Sequence, residues 1–341
     1  MDGILNVYKE EGYTSHDVVA KLRGILHQRK IGHTGTLDPA AVGVLPVCLG
    51  NATKVAGMLT DTDKAYIARM RLGVETDTQD MTGTVLDTRE VSVSEEDVEA
   101  AVRSMVGDSL QIPPMYSAIK VNGRRLYSLA REGIEVEREP RRIRISDITI
   151  DGINLPFVDM TVSCSKGTYI RTLCHDIGLK LGCKAAMEKL MRIRSGMFSY
   201  SGSFTLGQIE QAARDGSIAD MLLPVEAVFA SYPAYLCSAE KDRLLMNGGT
   251  LGMADLTPAD VLPCDAAEGQ EPVYDGGCAV TGEEPVYDGG CAGTGEEPHV
   301  RQEQSLPDMI RVRDSKGTFM GVYGLNAGTD SYKPVKMFLP S

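Results

Sequence analysis

Apolar residues recur with two different periods in successive segments of this chain. In residues 14–28 they return every three or four positions, the spacing of one helical face, and Thr14 and Asp17 stand in capping-box spacing. In residues 64–73 they alternate with other residues, so that Tyr66 falls on the apolar face of a β-strand. Helical and extended segments combined in this way predict a fold that contains both helices and strands.

Two further segments extend this pattern. Residues 94–107 open with the same capping-box spacing and predict a second amphipathic helix that ends at Gly107. Residues 157–182 predict a strand, a turn at Lys166–Gly167 and a helix. Arg171 would then lie in the first turn of that helix, close to the end of the strand.

The character of the sequence changes after residue 232. A chain of 341 residues favours two domains by the usual domain size, and we expect them to span residues 1–232 and 233–341. The second contains a hairpin pattern over residues 309–325 with its turn at Ser315–Gly317. It is therefore predicted to be small and strand-rich.

A tandem duplication lies within the second domain. Residues 271–283 and 284–296 are identical except at one position, Val280 against Gly293. Two short repeats rich in Gly and Glu cannot build a core. We therefore predict an exposed insertion within a low-complexity acidic stretch at about residues 255–305.

The formal net charge of −12 is unevenly distributed along the chain. Residues 255–303 hold 12 Asp and Glu against one Lys or Arg, a local balance of −11. Residues 120–144 carry eight Lys and Arg against four Glu. A basic patch of that kind is what an RNA footprint requires, although a solvated charged surface explains the count equally well.

Cysteine usage and the N-terminal segment indicate the compartment. The eight cysteines include no CxxC pair and no cluster with histidine, which favours free thiols over disulfides or a zinc site. The first residues are acidic where a secretory signal is basic, and the uncharged run 39–50 is shorter than the roughly 20 residues that span a bilayer. We expect a cytoplasmic protein with no membrane partner.

One carboxylate, Asp38, stands in a Gly-rich turn just before that uncharged run. Pro39 restricts the preceding residues to extended or turn geometry, and Gly32 and Gly35 allow another chain to approach closely. Such a carboxylate can act as a base, a nucleophile or a metal ligand, or can merely hydrogen-bond its own turn. No second carboxylate or histidine cluster accompanies it at motif spacing, which favours a single covalent or basic role.

Residues 30–54, KIGHTGTLDPAAVGVLPVCLGNATK, resemble the signature of the TruB family of tRNA pseudouridine synthases. Further segments match in the family's order: DKAYIARMRLGVETDTQDMTG, QIPPMYSAIKVNGRRLYSLAREG, CSKGTYIRTLCHDIG and LMRIRSG. The similarity covers roughly the first 230 residues, and the tail resembles the family's small RNA-binding PUA domain. The resemblance implies an α+β fold with a pseudouridine-synthase-like mixed sheet and flanking helices, followed by a small strand-rich PUA-like domain.

The resemblance also implies an activity, the isomerisation of a uridine in the T loop of tRNA to pseudouridine. A C–N glycosidic bond is broken and remade as a C–C bond, with neither metal nor cofactor. Asp38 matches the family's catalytic aspartate, Arg171 the arginine that pairs with it, and Tyr66 the active-site tyrosine. The sequence leaves open whether Asp38 attacks the sugar or the base or triggers a glycal route. Stacking on the base needs no activation of Tyr66, whereas proton transfer requires a phenol of pKa near 10 to ionise.

Three further positions are implied to contact the substrate. His33 matches a histidine that enters the RNA beside the flipped nucleotide, Leu190 matches a leucine of the pocket wall, and Lys64 is expected to bind the RNA. The implied partner is the T stem-loop of tRNA, bound by a monomer without an obligatory protein partner. The alternatives are a synthase for another RNA and a non-catalytic RNA-binding or tRNA-folding module. A P-loop enzyme is disfavoured because the Gly32–Gly35 turn lacks the Lys-Ser/Thr pair.

Overall fold

The computed structural model describes residues 1–259, 306–326 and 328–339. Contacts between residues divide the chain into two compact units, Met1–Val225 and Glu226–Ser341. The boundary at Val225–Glu226 precedes the one predicted at residue 232, and the buried Glu226 carboxylate pairs with Arg313 of the second unit.

The first unit contains six α-helices and fourteen strands. The helices are α1 (Ser15–Ile25), α2 (Ala56–Thr60), α3 (Glu95–Arg103), α4 (Leu126–Arg131), α5 (Ile170–Lys180) and α6 (Leu206–Asp215). The strands are β1 (Gly3–Lys9), β2 (Ile31–His33), β3 (Val42–Leu49), β4 (Lys64–Leu72), β5 (Val74–Thr76), β6 (Val85–Thr88), β7 (Gly107–Gln111), β8 (Lys120–Val121), β9 (Arg124–Arg125), β10 (Arg141–Asn154), β11 (Phe157–Cys164), β12 (Ala185–Ser195), β13 (Phe198–Ser199) and β14 (Leu222–Leu223).

Ten of these strands form one sheet. Its order is β14-β1-β3-β12-β4-β11-β10-β7, with β13 paired to β12 and β2 paired to β3. Within residues 1–225 the neighbouring strands of this sheet run antiparallel, except that β12 runs parallel to β3 over the pairs Met191–Val42 and Arg192–Gly43. The predicted mixed sheet with flanking helices is therefore confirmed.

Helix α1 begins where the capping-box spacing predicted. The Asp17 amide donates to Thr14 Oγ1 at 3.1 Å, and the Thr14 amide donates to Asp17 Oδ2 at 2.8 Å. These bonds satisfy two of the N–H groups that no helical carbonyl can reach. Val18 and Leu22 of this helix are fully buried in the main core.

Strand β4 alternates as predicted. The residues Tyr66, Ala68, Met70 and Leu72 are buried, whereas Ile67 on the other face is 41% exposed. The buried set joins the core that α1 and α5 also line. The same face of β4 that packs on the helices therefore carries Tyr66.

The second predicted helix is shorter than expected. Ser94 caps α3 as predicted, but the helix ends at Arg103 and not at Gly107. Gly107 instead opens β7 with a φ of 118°, a backbone conformation that favours glycine, and pairs with Ile145 of β10. Pairing along the sheet edge replaces the last helical turn that the sequence pattern predicted.

The described residues of the second unit form a short α-helix and a six-stranded sheet. Its elements are α7 (Asp242–Met246), β15 (Ala234–Cys237), β16 (Leu251–Gly252), β17 (Leu256–Pro258), β18 (Met309–Arg313), β19 (Phe319–Leu325) and β20 (Ser331–Met337), in the sheet order β16-β20-β19-β18-β15-β17. The predicted hairpin is present as β18–β19. The tandem repeat of residues 271–296 lies outside the described residues.

Two further expectations concern thiols and membranes. The described cysteines, Cys48, Cys164, Cys174, Cys183 and Cys237, are buried free thiols, as predicted. In the parts of the chain that the structure describes, no helix has both the length and the apolar character needed to cross a membrane.

Candidate active site

Asp38 lies in the turn between β2 and β3, and neighbouring elements fix this turn. The Leu37 amide donates to Ser15 Oγ of α1 at 2.9 Å, and the Leu37 side chain is buried. The Pro39 carbonyl accepts a hydrogen bond from Lys9 Nζ at 3.2 Å. Hydrogen bonds made by the residues before and after Asp38 therefore fix the turn that carries it.

Lys9 is buried at the end of β1 next to this turn. Its ammonium donates to the carbonyl oxygens of Glu10, Tyr13 and Pro39 at 3.0, 2.6 and 3.2 Å. Burial lowers the pKa of Lys9 to about 8, and the nearby Asp38 carboxylate opposes that shift. Lys9 thus ties β1 to the Asp38 turn and adds positive potential beside it.

The carboxylate of Asp38 faces the guanidinium of Arg171. Asp38 Oδ2 lies 3.1 Å from Arg171 Nε, and the two side chains are 38% and 6% exposed. Arg171 is the second residue of α5, in the first turn as predicted. A buried cation therefore fixes one side of the carboxylate while the other side remains open to a ligand.

Opposing effects act on the charge of Asp38. Burial raises the pKa of the Asp38 carboxyl, and Arg171 opposes that shift. The Asp80 carboxylate raises the pKa of Asp38 further, whereas Lys9 lowers it. The direct contact with Arg171 holds the ionised carboxylate in a defined orientation.

Arg171 has a second carboxylate neighbour that no sequence pattern had singled out. Its Nη1 lies 3.6 Å from Asp80 Oδ2. The same guanidinium donates to the carbonyl oxygens of Thr78 at 3.0 Å and Tyr116 at 2.7 Å. Arg171 is therefore fixed by four groups, of which Asp38 is one.

Asp80 is itself held by the turn between β5 and β6. Its Oδ1 accepts from Thr78 Oγ1 at 2.8 Å, and from the amide and hydroxyl of Thr82 at 3.0 and 2.5 Å. The run TDTQDMTG, residues 76–83, carries the signal that points to it, because threonines around an aspartate are typical of a carboxylate fixed within a turn. The second carboxylate thus comes from a distant segment.

Tyr66 lies within electrostatic range of Asp38. The residue is 8% exposed and belongs to the main core. Burial raises the pKa of the Tyr66 phenol, Arg192 opposes the shift, and Asp38 adds to it. The structure therefore brings Asp38, Tyr66 and Arg171 into one region, and their roles in a reaction stay predictions.

Tyr169 is a further side chain near Asp38 that the sequence patterns did not select. Its amide donates to Gln111 Oε1 at 2.8 Å, and Gln111 Nε2 donates back to the Tyr169 carbonyl at 3.1 Å. Burial raises the pKa of the Tyr169 phenol, and Asp38 contributes in the same direction. Its position two residues before Arg171 in GTYIR is the signal that could have selected it.

His33 lies at the start of the same turn as Asp38. Its Nδ1 is 2.8 Å from the Gly35 carbonyl oxygen, and its ring meets the His16 ring edge-on with centroids 5.0 Å apart. Burial lowers the pKa of His33, which favours the neutral ring. A neutral tautomer would donate from Nδ1 to the carbonyl.

Leu190 and Lys64 have different surroundings. Leu190 pairs with Ala68 of β4 and packs partly buried against the main core. Lys64 is 7% exposed, and its ammonium donates to the carbonyl oxygens of Thr60, at 2.6 Å, and Thr62. The structure therefore gives Lys64 backbone carbonyl partners, and its role in RNA binding stays a prediction.

The basic segment 120–144 is largely exposed. It contains the β8–β9 hairpin and α4, and Lys120, Arg124, Arg125, Arg131, Arg141, Arg142 and Arg144 are exposed. Arg124 is paired with Glu132, and the net charge of the segment is positive because its eight Lys and Arg exceed its four Glu. The segment follows Tyr116, whose carbonyl oxygen accepts from Arg171, so a basic surface adjoins the candidate site along the chain.

Two family models match the chain. Residues 23–170 match the model described as TruB family pseudouridylate synthase (N terminal domain), and residues 171–230 match the one described as tRNA pseudouridylate synthase B C-terminal domain. A protein of Clostridium novyi named tRNA pseudouridine synthase B is 49% identical over 258 residues, which cover 76% of this chain and 88% of that protein. A protein of the same name from Lachnoclostridium phytofermentans is 43% identical over 347 residues, which cover 99% of this chain and 100% of that protein.

Solved structures resemble the fold. The chain matches one titled "Crystal Structure of a Cbf5-Nop10-Gar1 Complex" with a TM-score of 0.64 at 24% identity. It matches another titled "Structure of H/ACA RNP bound to a substrate RNA containing 2'-deoxyuridine" with a TM-score of 0.63 at 23% identity. Each match covers 99% of this chain and 85% of the other. At these identities the likeness concerns the fold alone.

Proposed function

Since the chain belongs to the TruB family of pseudouridylate synthases, we propose that it isomerises a uridine in the T loop of tRNA to pseudouridine, with Asp38 as the catalytic carboxylate. Its enzyme class is that of its relatives, a tRNA pseudouridine synthase. The T loop as the target and Asp38 as the reacting group are the parts that we add.

The observation that carries the proposal is the contact between Asp38 and Arg171 at 3.1 Å. The reaction detaches uracil from the sugar carbon and reattaches it through C5, so it needs one group close to the glycosidic bond. A half-exposed carboxylate whose other side is fixed by a buried guanidinium can approach that bond as a nucleophile or a base. The Arg171 contacts to Asp80, Thr78 and Tyr116 keep the cation in place as the substrate enters.

The aromatic and apolar residues would hold the flipped base. Tyr66 would stack on the uracil, because its ring is within range of Asp38 and stacking requires no ionisation of its phenol. Leu190 would form an apolar part of the pocket wall and limit water beside the sugar. Lys64 would contact the RNA after leaving one of its carbonyl partners, Thr60 or Thr62.

A uridine within a folded T loop has to leave its stack before it can reach Asp38. Extrusion of a nucleotide costs a few kcal/mol. His33 would offset part of that cost by filling the space left in the RNA, and burial favours its neutral ring, which stacks without carrying a charge. The exposed arginines of residues 120–144 would bind the phosphates of the stem, and the second unit would act as a PUA-like RNA-binding domain.

We further propose that the protein acts as a cytoplasmic monomer without an obligatory protein partner. The acid, its counter-ion and the stacking ring all come from one chain, in the unit Met1–Val225. The compartment follows from the substrate, since tRNA is modified where it is made and used.

The position of the product tests the proposal. The pure protein is incubated with an unmodified tRNA transcript, and pseudouridine is mapped along the whole RNA. We expect pseudouridine at one uridine of the T loop, and none with a transcript in which that uridine is replaced by cytidine. Product only in another RNA would support the alternative substrate, and tRNA binding without any product would support a non-catalytic RNA-binding module.

A further inference from the structure

Arg192 is a buried arginine that the proposed reaction does not use. The residue is 2% exposed, and its Nε donates to the Val44 carbonyl oxygen at 2.7 Å. Its Nη2 has no hydrogen-bond partner among the described residues, and no described carboxylate forms an ion pair with it. Burying a guanidinium without a counter-charge lowers the stability of the fold. The presence of Arg192 at this position therefore indicates a role other than stabilisation.

The sheet places Arg192 where β3 and β12 separate. The two parallel strands pair over two residues only, and Arg192 faces Gly43 in the second of these pairs. A Cβ on Gly43 would lie 2.2 Å from the Arg192 carbonyl oxygen, so only glycine permits this approach. Arg192 Nη1 lies 3.8 Å from the position of a Cβ on Gly35, in the turn that carries Asp38. The side chain therefore reaches from β12 towards that turn.

On its other side Arg192 lies opposite Tyr66. The two residues are direct partners in the antiparallel pairing of β12 with β4, and directly opposite side chains lie on one face of a sheet within contact distance. The register shifts immediately after Arg192, and bulges of this kind re-aim side chains. From this position Arg192 opposes the rise in phenol pKa that burial of Tyr66 causes.

We propose that Arg192 is a positioning residue that anchors the Tyr66 hydroxyl and thereby holds the ring in the plane that stacks on the target uracil. This inference rests on the proposed function, because it assumes the stacking role of Tyr66. The anchor spans three parts of the site, the Val44 carbonyl of β3, the Gly35 turn and Tyr66 of β4. The ionisable groups that influence or are influenced by Arg192 are Lys9 from β1, His33 from β2 and Lys64 from β4, and those that act on Tyr66 are Asp38 from the turn and Cys164 from β11.

A double-mutant cycle separates positioning through Tyr66 from a general structural role. Arg192→Met should lower the single-turnover rate by about tenfold or more while the dissociation constant for tRNA changes less than about threefold. Arg192→Lys, which retains a donor, should fall between the wild type and Arg192→Met. In a Tyr66→Phe background, Arg192→Met should change the rate less than about twofold, because no hydroxyl remains to be anchored.

Arg194→Met is the matched control. Arg194 lies on the same strand and carries the same charge, but its side chain is exposed. Its replacement should leave the single-turnover rate within about twofold of the wild type. Equal rate losses for Arg192→Met in the Tyr66 and Phe backgrounds would overturn the proposal. If Arg192→Met does not fold, as circular dichroism would reveal, the same cycle is run with Arg192→Lys and judged by the same criterion.

A measurement without catalysis keeps this inference separate from the proposed function. The Cζ resonance of Tyr66, labelled with carbon-13 and assigned by its loss in Tyr66→Phe, reports the hydrogen bonding of the phenol at neutral pH. It should move in Arg192→Met and not in Arg194→Met, and an unmoved resonance would refute the anchor. Absence of pseudouridine formation by the wild type would overturn the proposed function and the stacking role, whereas the resonance would still report whether the anchor exists.

Discussion

At the scale of single residues, the candidate site depends on how one arginine is shared. The Arg171 guanidinium contacts two carboxylates and two carbonyl oxygens, and its side chain is 6% exposed. Nε faces Asp38, whereas Nη1 and Nη2 face the other three partners, so that the cation meets Asp38 from one direction only. An ammonium is a point charge and cannot reproduce this fork.

Arg171→Lys should therefore disable the reaction with little effect on RNA binding. We expect the single-turnover rate to fall by about 100-fold or more, because the carboxylate loses its fixed partner, while tRNA affinity stays within about threefold. Single-turnover pseudouridine formation measures the rate, and a filter-binding assay of the protein–tRNA complex measures the affinity. The control Arg214→Lys changes an exposed arginine of α6 that pairs with Glu210, and it should behave as the wild type. A near-normal rate for Arg171→Lys would mean that the ion pair has no role in the reaction.

At the scale of elements, helix α5 is the part that delivers Arg171. Glu75 of β5 connects this helix to its surroundings, since its two carboxylate oxygens lie 3.0 Å from His175 Nε2 and 2.6 Å from Lys184 Nζ. The buried face of α5 includes Leu173, Cys174 and Ile177, which are fully buried in the main core. The helix is therefore held by apolar packing on one side and by the contact of His175 with Glu75 on the other.

The buried thiol of Cys174 predicts how the stability of the protein depends on pH. Burial raises the pKa of Cys174 to about 12, whereas an unfolded thiol has a pKa of about 8.5. As pH rises above about 8.5, the unfolded chain loses this proton and the folded chain keeps it, so the free energy of unfolding falls by up to about 1.4 kcal/mol per pH unit for each such thiol. The stabilising contribution is thus complete below pH 8.5 and decreases above it.

Cys174→Ala should make the free energy of unfolding less dependent on pH between 8.5 and 10.5, as measured by urea unfolding at several pH values in that range. Ile177→Val is the control, since it removes a methylene from the same buried face and should lower stability equally at every pH. An unchanged pH slope in Cys174→Ala would show that the thiol titrates normally in the folded protein.

Elements with local signals were predictable from the sequence, and contacts between distant turns were not. The capping box of Thr14 and the alternation around Tyr66 are encoded within a few residues, and both are present. Arg171 contacts the Thr78 carbonyl 93 residues away, and only the assembled sheet brings the Asp80 turn to α5. The end of α3 was mispredicted for a related reason, because pairing of β7 with β10 outweighs a local helical pattern.

At the scale of the whole molecule, the charge balance differs greatly between segments. Residues 255–303 account for −11 of the net charge of −12, whereas residues 120–144 are basic. An acidic protein can therefore bind RNA, provided that its acidic segment lies away from the bound phosphates. At physiological ionic strength charges separated by more than about 8 Å are largely screened.

Excision of residues 271–296 tests that condition. The deletion removes six acidic residues and no basic ones, and shifts the formal net charge from −12 to −6. We expect a folded protein with an unchanged turnover rate, and tRNA binding that is equal or slightly tighter at low salt, with the difference disappearing as salt rises. Affinity measured at several salt concentrations checks this expectation. Unfolding or a tenfold loss of activity would contradict it and show that the repeats contribute to the fold or to RNA binding.

The measurement that tests the account most directly is single-turnover pseudouridine formation by Asp38→Asn, alongside its binding to the same tRNA. The amide conserves the volume of the side chain but cannot act as a nucleophile or a base. We predict that pseudouridine formation falls to the background level while the dissociation constant for tRNA stays within about tenfold of the wild type. Retained turnover by a pure Asp38→Asn protein would contradict the claim that this carboxylate performs the reaction.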